Sequence, residues 1–422
     1  MRAVYRMLSL TIAALAMVML AGCPPTQPAG EGAATTGAQP GAPGAEPATK
    51  AAETGAATKT SWGEDGGVTI GSYMSLTGGT ATFGQSSNMA MGMAVEQANA
   101  KGGVLGKKIK LVVEDAASKA EDAANAAQRL LDVHKVVIGI GEVASSLSLA
   151  AAPTFQKAGI PMLTPASTNP EVTKKGDCIF RSCFTDDQQG AYVASFAVKK
   201  GLRKGVILKD ITSDYSKGLT EVIGKVFPGE GRTIDGVEAY KQGDRDFAAI
   251  LTKIKDLKPD VIFIPGYYEE VGLIIKQARE LGITATLLGA DGWDSPKLGE
   301  IAGGSLDDKC FFVNHYAQSD PRPVVQAFVS EFKKRYNEDP DALAACAYDA
   351  MNIALAAIER AKGTDKVALR KALGETKDYD GVTGTISLDA NRNASKSCVV
   401  LGFEGGKQKA VGAVTPADLK GK

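Results

Sequence analysis

The chain has 422 residues, with 48 basic and 48 acidic side chains and no formal net charge; no long basic run exists, which excludes nucleic acid as its partner. Hydrophobic residues make up 44%, and the body that starts near Val68 is too long for one hydrophobic core, so two domains are expected. Two histidines and six scattered cysteines offer no metal-ligand spacing, and neither a metal nor another cofactor is expected.

Residues 1–22 read as a signal peptide. Arg2 and Arg6 precede an apolar run from Leu8 to Leu20, shorter than the about 20 residues of a membrane-spanning helix and ended by small residues. Leu20-Ala21-Gly22-Cys23 resembles a bacterial lipobox, which makes Cys23 the expected lipidation site on an exported, membrane-anchored chain. Residues 24 to about 61 contain no Val, Ile, Leu, Met, Phe, Tyr or Trp and cannot offset their ordering entropy. The segment 23–66 is therefore expected to be a disordered tether, with an end-to-end distance of roughly 35–40 Å. No second apolar stretch reads as long enough to cross a bilayer, which leaves the lipid as the membrane link.

From Val68 a strand-then-helix unit repeats about every 25–35 residues. Short β-rich runs occur at Val68–Met74, Ile109–Val113, Val136–Ile140, Met162–Thr164, Gly205–Leu208, Val261–Ile264 and Thr286–Gly289. Longer amphipathic segments lie between them, among them 86–100, 120–133, 145–158 and 268–281. Alternation of this kind predicts an α/β fold with parallel sheets and helices on both faces. After Cys310–Tyr316 the pattern changes to an amphipathic helix over 321–336 and a long, Ala-rich, largely buried helix over 341–361. A strand and turn over 381–389 and a hairpin-like ending over 398–412 follow.

Catalytic signatures are missing. Gly139-Ile140-Gly141-Glu142-Val143-Ala144 matches G-x-G-x-x-A, but no acid ends the next strand, as a dinucleotide ribose would require. It reads as a tight strand-to-helix turn. There is no G-x-S-x-G, H-E-x-x-H or G-x-x-x-x-G-K-[ST], and an enzyme is not expected. His134 and His315 read as structural. Five cysteines remain after Cys23, so at least one is unpaired in a monomer. Cys178 and Cys183 sit on one extended run, roughly 16 Å apart, too far for a disulfide.

The informative residues lie at the carboxyl ends of the strands, where open α/β sheets bind ligands. Glu142 to Ser146 opens a helix whose free N–H groups and dipole suit a carboxylate. Pro165-Ala166-Ser167-Thr168-Asn169-Pro170 sets hydroxyls between two prolines. Lys209–Gly218, Pro265–Glu270 and Gly289–Trp293 supply Tyr215, Tyr267, Asp291 and Trp293. Aromatic walls with a few placed polar groups make a small-molecule cleft.

These residues, with Leu76-Thr77-Gly78, Gly102–Gly106, Glu114-Asp115, Ser145-Ser146, Thr164–Pro170, Arg181, Gln189-Gly190, Asp214-Tyr215, Ala347–Ala350 and Gly381-x-x-Gly384, stand in an order and spacing that resembles one family. It is the branched-chain amino-acid-binding (leucine/isoleucine/valine-binding) family of ABC-transporter substrate-binding proteins, with the periplasmic binding protein type I fold. The resemblance spans nearly all of 67–422. It implies two doubly wound, Rossmann-like lobes joined by three crossover segments, lobe one being 67–188 and 317–394 and lobe two 189–316 and 395–422. It further implies a monomer that closes on a small amino acid and delivers it to an ABC permease in the membrane. Ser145, Ala166 and Thr168, in a cluster with Ser167, would hold the ligand's α-carboxylate and part of its ammonium. Tyr215, Tyr267 and Asp291 would close from lobe two, with Asp291 on the ammonium, and Phe83 and Trp293 would border the side-chain pocket. Asp291 stands where leucine binders place a longer glutamate, and Phe83 where they place a tyrosine; both bear on which amino acid is taken. A buried zwitterion needs each charge paired, and these residues supply both signs. Two alternatives share the fold: a ligand-sensing receptor component, and a binder of carboxylates that lack an amine.

Overall fold

The computed structural model describes residues 66–414. The expected signal peptide, Cys23 and all but the last residue of the expected tether lie outside the described residues. Strands and helices alternate from the start, as β1 (Val68–Met74), α1 (Ala81–Ala100), β2 (Ile109–Asp115), α2 (Ala120–Asp132), β3 (Gly139–Gly141), α3 (Ser145–Ala158), β4 (Met162–Thr164) and β5 (Ile179–Arg181). The five strands form one parallel sheet in the order β2-β1-β3-β4-β5. Strands β3, β4 and β5 have three residues each, all buried because helices cover the sheet.

The second lobe repeats the plan with α4 (Asp186–Lys199), β6 (Lys204–Asp210), α5 (Asp214–Val226), β7 (Thr233–Tyr240), α6 (Ala248–Asp256), β8 (Val261–Phe263), α7 (Tyr268–Glu280), β9 (Thr286–Gly289), α8 (Pro296–Ala302) and β10 (Cys310–Asn314). The chain then returns to the first lobe with α9 (Pro323–Tyr336), α10 (Ala342–Ala361), α11 (Lys366–Gly374) and the small hairpin β11 (Tyr379–Gly381) and β12 (Gly384–Ile386). It ends in the second sheet with β13 (Cys398–Glu404) and β14 (Lys407–Val414). That sheet has seven strands, ordered β14-β13-β10-β9-β8-β6-β7, with β13 and β14 antiparallel at one edge. Three connections thus cross between the lobes, after β5, after β10 and after β12.

The structure departs from the sequence reading in four places. Helix α1 begins at Ala81 and not at Ser86, because Gly84 lets its first turn lie on the β1–α1 loop: a Cβ there would stand 2.0 Å from the Ser75 carbonyl oxygen. Strand β7 was not anticipated; it is an edge strand whose residues alternate between half-buried and exposed, so it lacks the apolar run that marks its neighbours. The extended run around the two cysteines shortens to Ile179–Arg181. Finally, α10 is long and apolar enough to cross a membrane, contrary to the expectation that no second stretch is. It packs against α1 and α11, mostly buried, and carries the fully buried Asp349. The five cysteines of the described residues are all buried thiols.

Candidate functional site

The carboxyl ends of the parallel strands of both sheets meet at the cleft between the lobes, and the loops there are tied from beneath. The β3–α3 turn is closed by Glu142. Its Oε1 accepts from Ser75 N and Ser75 Oγ, both at 2.7 Å, and its Oε2 accepts from Ala144 N at 2.5 Å. Burial pushes the Glu142 carboxyl above its usual range, opposed by these donors. Gly141 has φ +148° and its missing Cβ would lie 2.2 Å from Tyr73 O, so the turn requires glycine. The G-x-G-x-x-A stretch is therefore a turn that aims the start of α3 into the cleft. There Ser145 Oγ accepts from Asn169 N at 3.2 Å.

The hydroxyl loop after β4 is clamped by Arg181. Fully buried, it donates from Nη1 to Ser167 O (2.6 Å), from Nη2 to Asn169 O (2.7 Å) and from Nε to Asn393 Oδ1 (2.9 Å). Ser167 Oγ lies 2.8 Å from Glu142 O and 3.0 Å from Val143 O, so its hydroxyl braces the neighbouring turn. Ala166 is buried beside it. Thr168 Oγ1 and both carboxylate oxygens of Asp186 are buried without a well-formed hydrogen bond among the described residues, as are both amide atoms of Gln189. Burial holds the Asp186 carboxyl well above the usual range; the Thr168 hydroxyl and Arg181 oppose this, and the charge of Asp291 adds to it.

From the second lobe, Tyr215 OH donates to Asp291 Oδ1 at 2.7 Å and accepts from Gly292 N at 3.0 Å. Its ring stacks on Tyr267 with centroids 5.1 Å apart and planes 8° apart. Burial, then the Asp291 charge, raises the Tyr215 phenol. Asp291 Oδ2 lies 3.0 Å from His315 Nε2. Phe83, from the first lobe, meets Tyr267 and Tyr268 edge-on at 5.9 and 5.0 Å. Trp293 is placed differently from the other aromatics. It is fully buried, donates from Nε1 to Ile264 O at 2.9 Å and fills the space that Gly289 leaves open. It packs behind the Asp291 turn, and Tyr268 takes the place beside Tyr267 on the wall that Phe83 faces.

The lobes touch at several points around this cluster. Asn169 Nδ2 donates to Asp214 O at 2.8 Å and Asp214 N donates to Ser146 Oγ at 3.0 Å. Thr82 and Ser295 pair their hydroxyls at 3.0 Å. The cleft therefore has the closed geometry.

Three polar residues beside it are not among the ligand contacts that the sequence led us to expect. Asp186 and Gln189 lie in the first turn of a helix after a crossover, where acids and amides serve as ordinary caps; the Gln189-Gly190 spacing was the signal available. His315 read as structural, whereas it bonds to Asp291, 24 residues earlier. Chemically, the α3 N-terminus with Ser145 and Thr168 offers donors to a carboxylate. Asp291 and Asp186 offer acceptors to a cation, and the stacked aromatics give an apolar wall.

Residues 67–403 match the periplasmic binding protein family. A Leu/Ile/Val-binding protein homolog of Brucella melitensis is 30% identical over 346 residues, 81% of this chain and 92% of the relative. The crystal structure of the leucine-binding protein LivK of Thermotoga maritima matches with a TM-score of 0.80 at 39% identity, covering 83% of this chain and 99% of that one. The branched-chain amino-acid transporter substrate-binding protein LivJ of Streptococcus pneumoniae, solved with isoleucine, matches at 0.78 and 32% identity, over 83% and 100%.

Proposed function

Because the chain belongs to the branched-chain amino-acid-binding family of periplasmic binding proteins, whose members bind solutes and are not enzymes, we propose that it captures a small, hydrophobic α-amino acid outside the cytoplasm and delivers it to an ABC permease. The chain is exported, loses residues 1–22, and is held to the membrane by lipid on Cys23, with 23–66 as tether and a monomeric body. Lobe one is 67–188 with 317–394; lobe two is 189–316 with 395–422.

What supports this reading is the α3 N-terminus with the Ser145 and Thr168 hydroxyls from one lobe set against Asp291 and the stacked tyrosines of the other. Ser145 Oγ, Thr168 Oγ1 and the backbone at Ala166 take the ligand's carboxylate and part of its ammonium. Asp291, fixed by Tyr215, takes the ammonium, with Asp186 as a second acid nearby. Phe83, Tyr267 and Tyr268 enclose the side chain. Ser167 and Trp293 act from behind, bracing the hydroxyl loop and the Asp291 turn. A leucine-sized ligand gains at most about 1.5 kcal/mol per heavy atom, roughly 13 in total, and micromolar binding needs about 8, which leaves room for desolvation and closure.

A thermal-shift screen of amino acids and simple carboxylates tests this. Leucine, isoleucine or valine at about a thousand times its Kd should stabilise the fold by about 4 kcal/mol. Stabilisation by amine-free acids alone would overturn the amino-acid assignment and leave the solute-binding role standing.

A further inference from the structure

His315 sits on the connection that leaves β10, fully buried. Its ring lies flat on Phe184, with centroids 4.0 Å and planes 18° apart, so it cannot rotate without losing that contact. Nε2 is 3.0 Å from Asp291 Oδ2, and Nδ1 has no hydrogen-bond partner among the described residues. These facts place the proton. On Nδ1 it would be a buried donor with nothing to bind, the costly arrangement. On Nε2 it satisfies Asp291 and leaves only an idle acceptor behind. Burial also pulls the imidazole below its usual pKa; Asp291 and Asp294 oppose this and Lys396 reinforces it. Among the charged groups around the ring these three act on it most; Asp186 lies two residues from Phe184, and Asp320 and Arg322 line the same pocket as His315. A neutral donor orients Asp291 without cancelling its charge.

We infer that His315 is the specificity-determining positioning residue of the cleft: by donating from Nε2 it holds Asp291 toward a ligand's α-ammonium and so selects amino acids over amine-free acids of the same skeleton. The inference rests on the α-amino-acid reading above. Tyr215 holds one oxygen and His315 the other, so the remaining lone pairs point in set directions. Protonation of His315 would turn the pair into an internal ion pair and remove the net attraction for an ammonium. Selectivity should therefore be full above the folded-state pKa of His315, which lies below the usual histidine value, and fall as pH drops through it.

Calorimetry on the full chain with L-leucine and 4-methylpentanoate, the same skeleton without the amine, tests it. The wild type should prefer leucine by about a hundredfold or more. His315→Phe, which keeps the stacking and removes the donor, should cut that ratio about tenfold, a difference of about 1.4 kcal/mol. His315→Gln, whose Nε2 reaches a similar place, should restore it to within about threefold. If His315→Phe weakens both ligands equally or leaves the ratio unchanged, the inference fails while the α-amino reading stands. If the wild type prefers 4-methylpentanoate, the reading beneath it fails as well. Should His315→Phe not fold, nitrogen NMR of imidazole-labelled wild type decides. Only two histidines exist, and His134→Gln assigns them. A proton on Nε2 and none on Nδ1 is expected; a proton on Nδ1 overturns the inference.

Discussion

At Asp291 the protein supplies two partners for the carboxylate, Tyr215 OH at 2.7 Å and His315 Nε2 at 3.0 Å, and on the α-amino-acid reading the ligand's ammonium is the third. Removing one partner of a buried pair costs about 3–5 kcal/mol, and each 1.4 kcal/mol is tenfold in affinity. Asp291→Ala should therefore weaken amino-acid binding about 10²- to 10³-fold by calorimetry. Ser145→Ala removes one hydrogen bond to a charged group and should cost about 1–3 kcal/mol. Full affinity in Asp291→Ala would remove the ammonium from the ligand. Asp291 stands out in the sequence because it follows a strand and falls where the family resemblance sets an acid for the ammonium. His315 does not, because its partner is 24 residues away and only packing reveals it.

At the scale of elements, α1 and α10 carry the two sharpest consequences. Alanine in place of a helical glycine usually stabilises by about 0.5–1 kcal/mol. At Gly84 the sign should reverse, since the added Cβ meets the Ser75 carbonyl at 2.0 Å. Gly84→Ala should cost about 1–3 kcal/mol in denaturant midpoints and weaken ligand binding, because Phe83 is its neighbour. At the start of α10, Asp341 caps Ala344 N at 2.7 Å and accepts from Ser86 Oγ, while Asp294 accepts from Ala342 N at 2.7 Å. Burial, and then the Asp294 charge, push the Asp341 carboxyl up to about 8. Its unfolded value is about 3.9, so the folded state binds the extra proton between these limits. The stability it contributes is complete below about pH 4, declines as pH rises, and is lost through about pH 8. Urea melts of the wild type should lose about 1 kcal/mol or more between pH 5 and 9, and Asp341→Asn should flatten that slope. An unchanged slope would locate the titration elsewhere.

For the whole molecule, the cross-lobe contacts combine polar pairs, Asn169–Asp214, Ser146–Asp214 and Thr82–Ser295, with ring contacts of Phe83 on Tyr267 and Tyr268 and of Phe184 on His315. The polar pairs exchange readily for water, and a bound ligand adds contacts to both lobes, so ligand should favour the closed form. Saturating amino acid should lower the radius of gyration in small-angle scattering as the lobes hinge about the three crossovers. An identical profile with ligand bound would rule out hinge closure. Attachment is a second whole-molecule property. If Cys23 is the only anchor, two or three acyl chains suffice, and Cys23→Ala should release an exported body into the soluble fraction. Retention on the membrane would point to another anchor.

The sequence by itself determined the α/β alternation, the strand ends that carry the cleft, and the order of markers that resembles the family, because periodicity and turn chemistry are local. Arg181 stood out only as one marker of that resemblance, and its clamp on the 165–170 loop is seen only in the structure. Tertiary structure alone decided where burial falls and who meets whom. It set Asp186 beside Thr168, turned Trp293 into the core, left β7 at an exposed edge, and wrapped α10 in protein although its composition would suit a bilayer. In each case the free energy depends on neighbours distant in the chain: a buried polar atom is costly or useful according to what faces it, and one residue's own neighbours do not encode that.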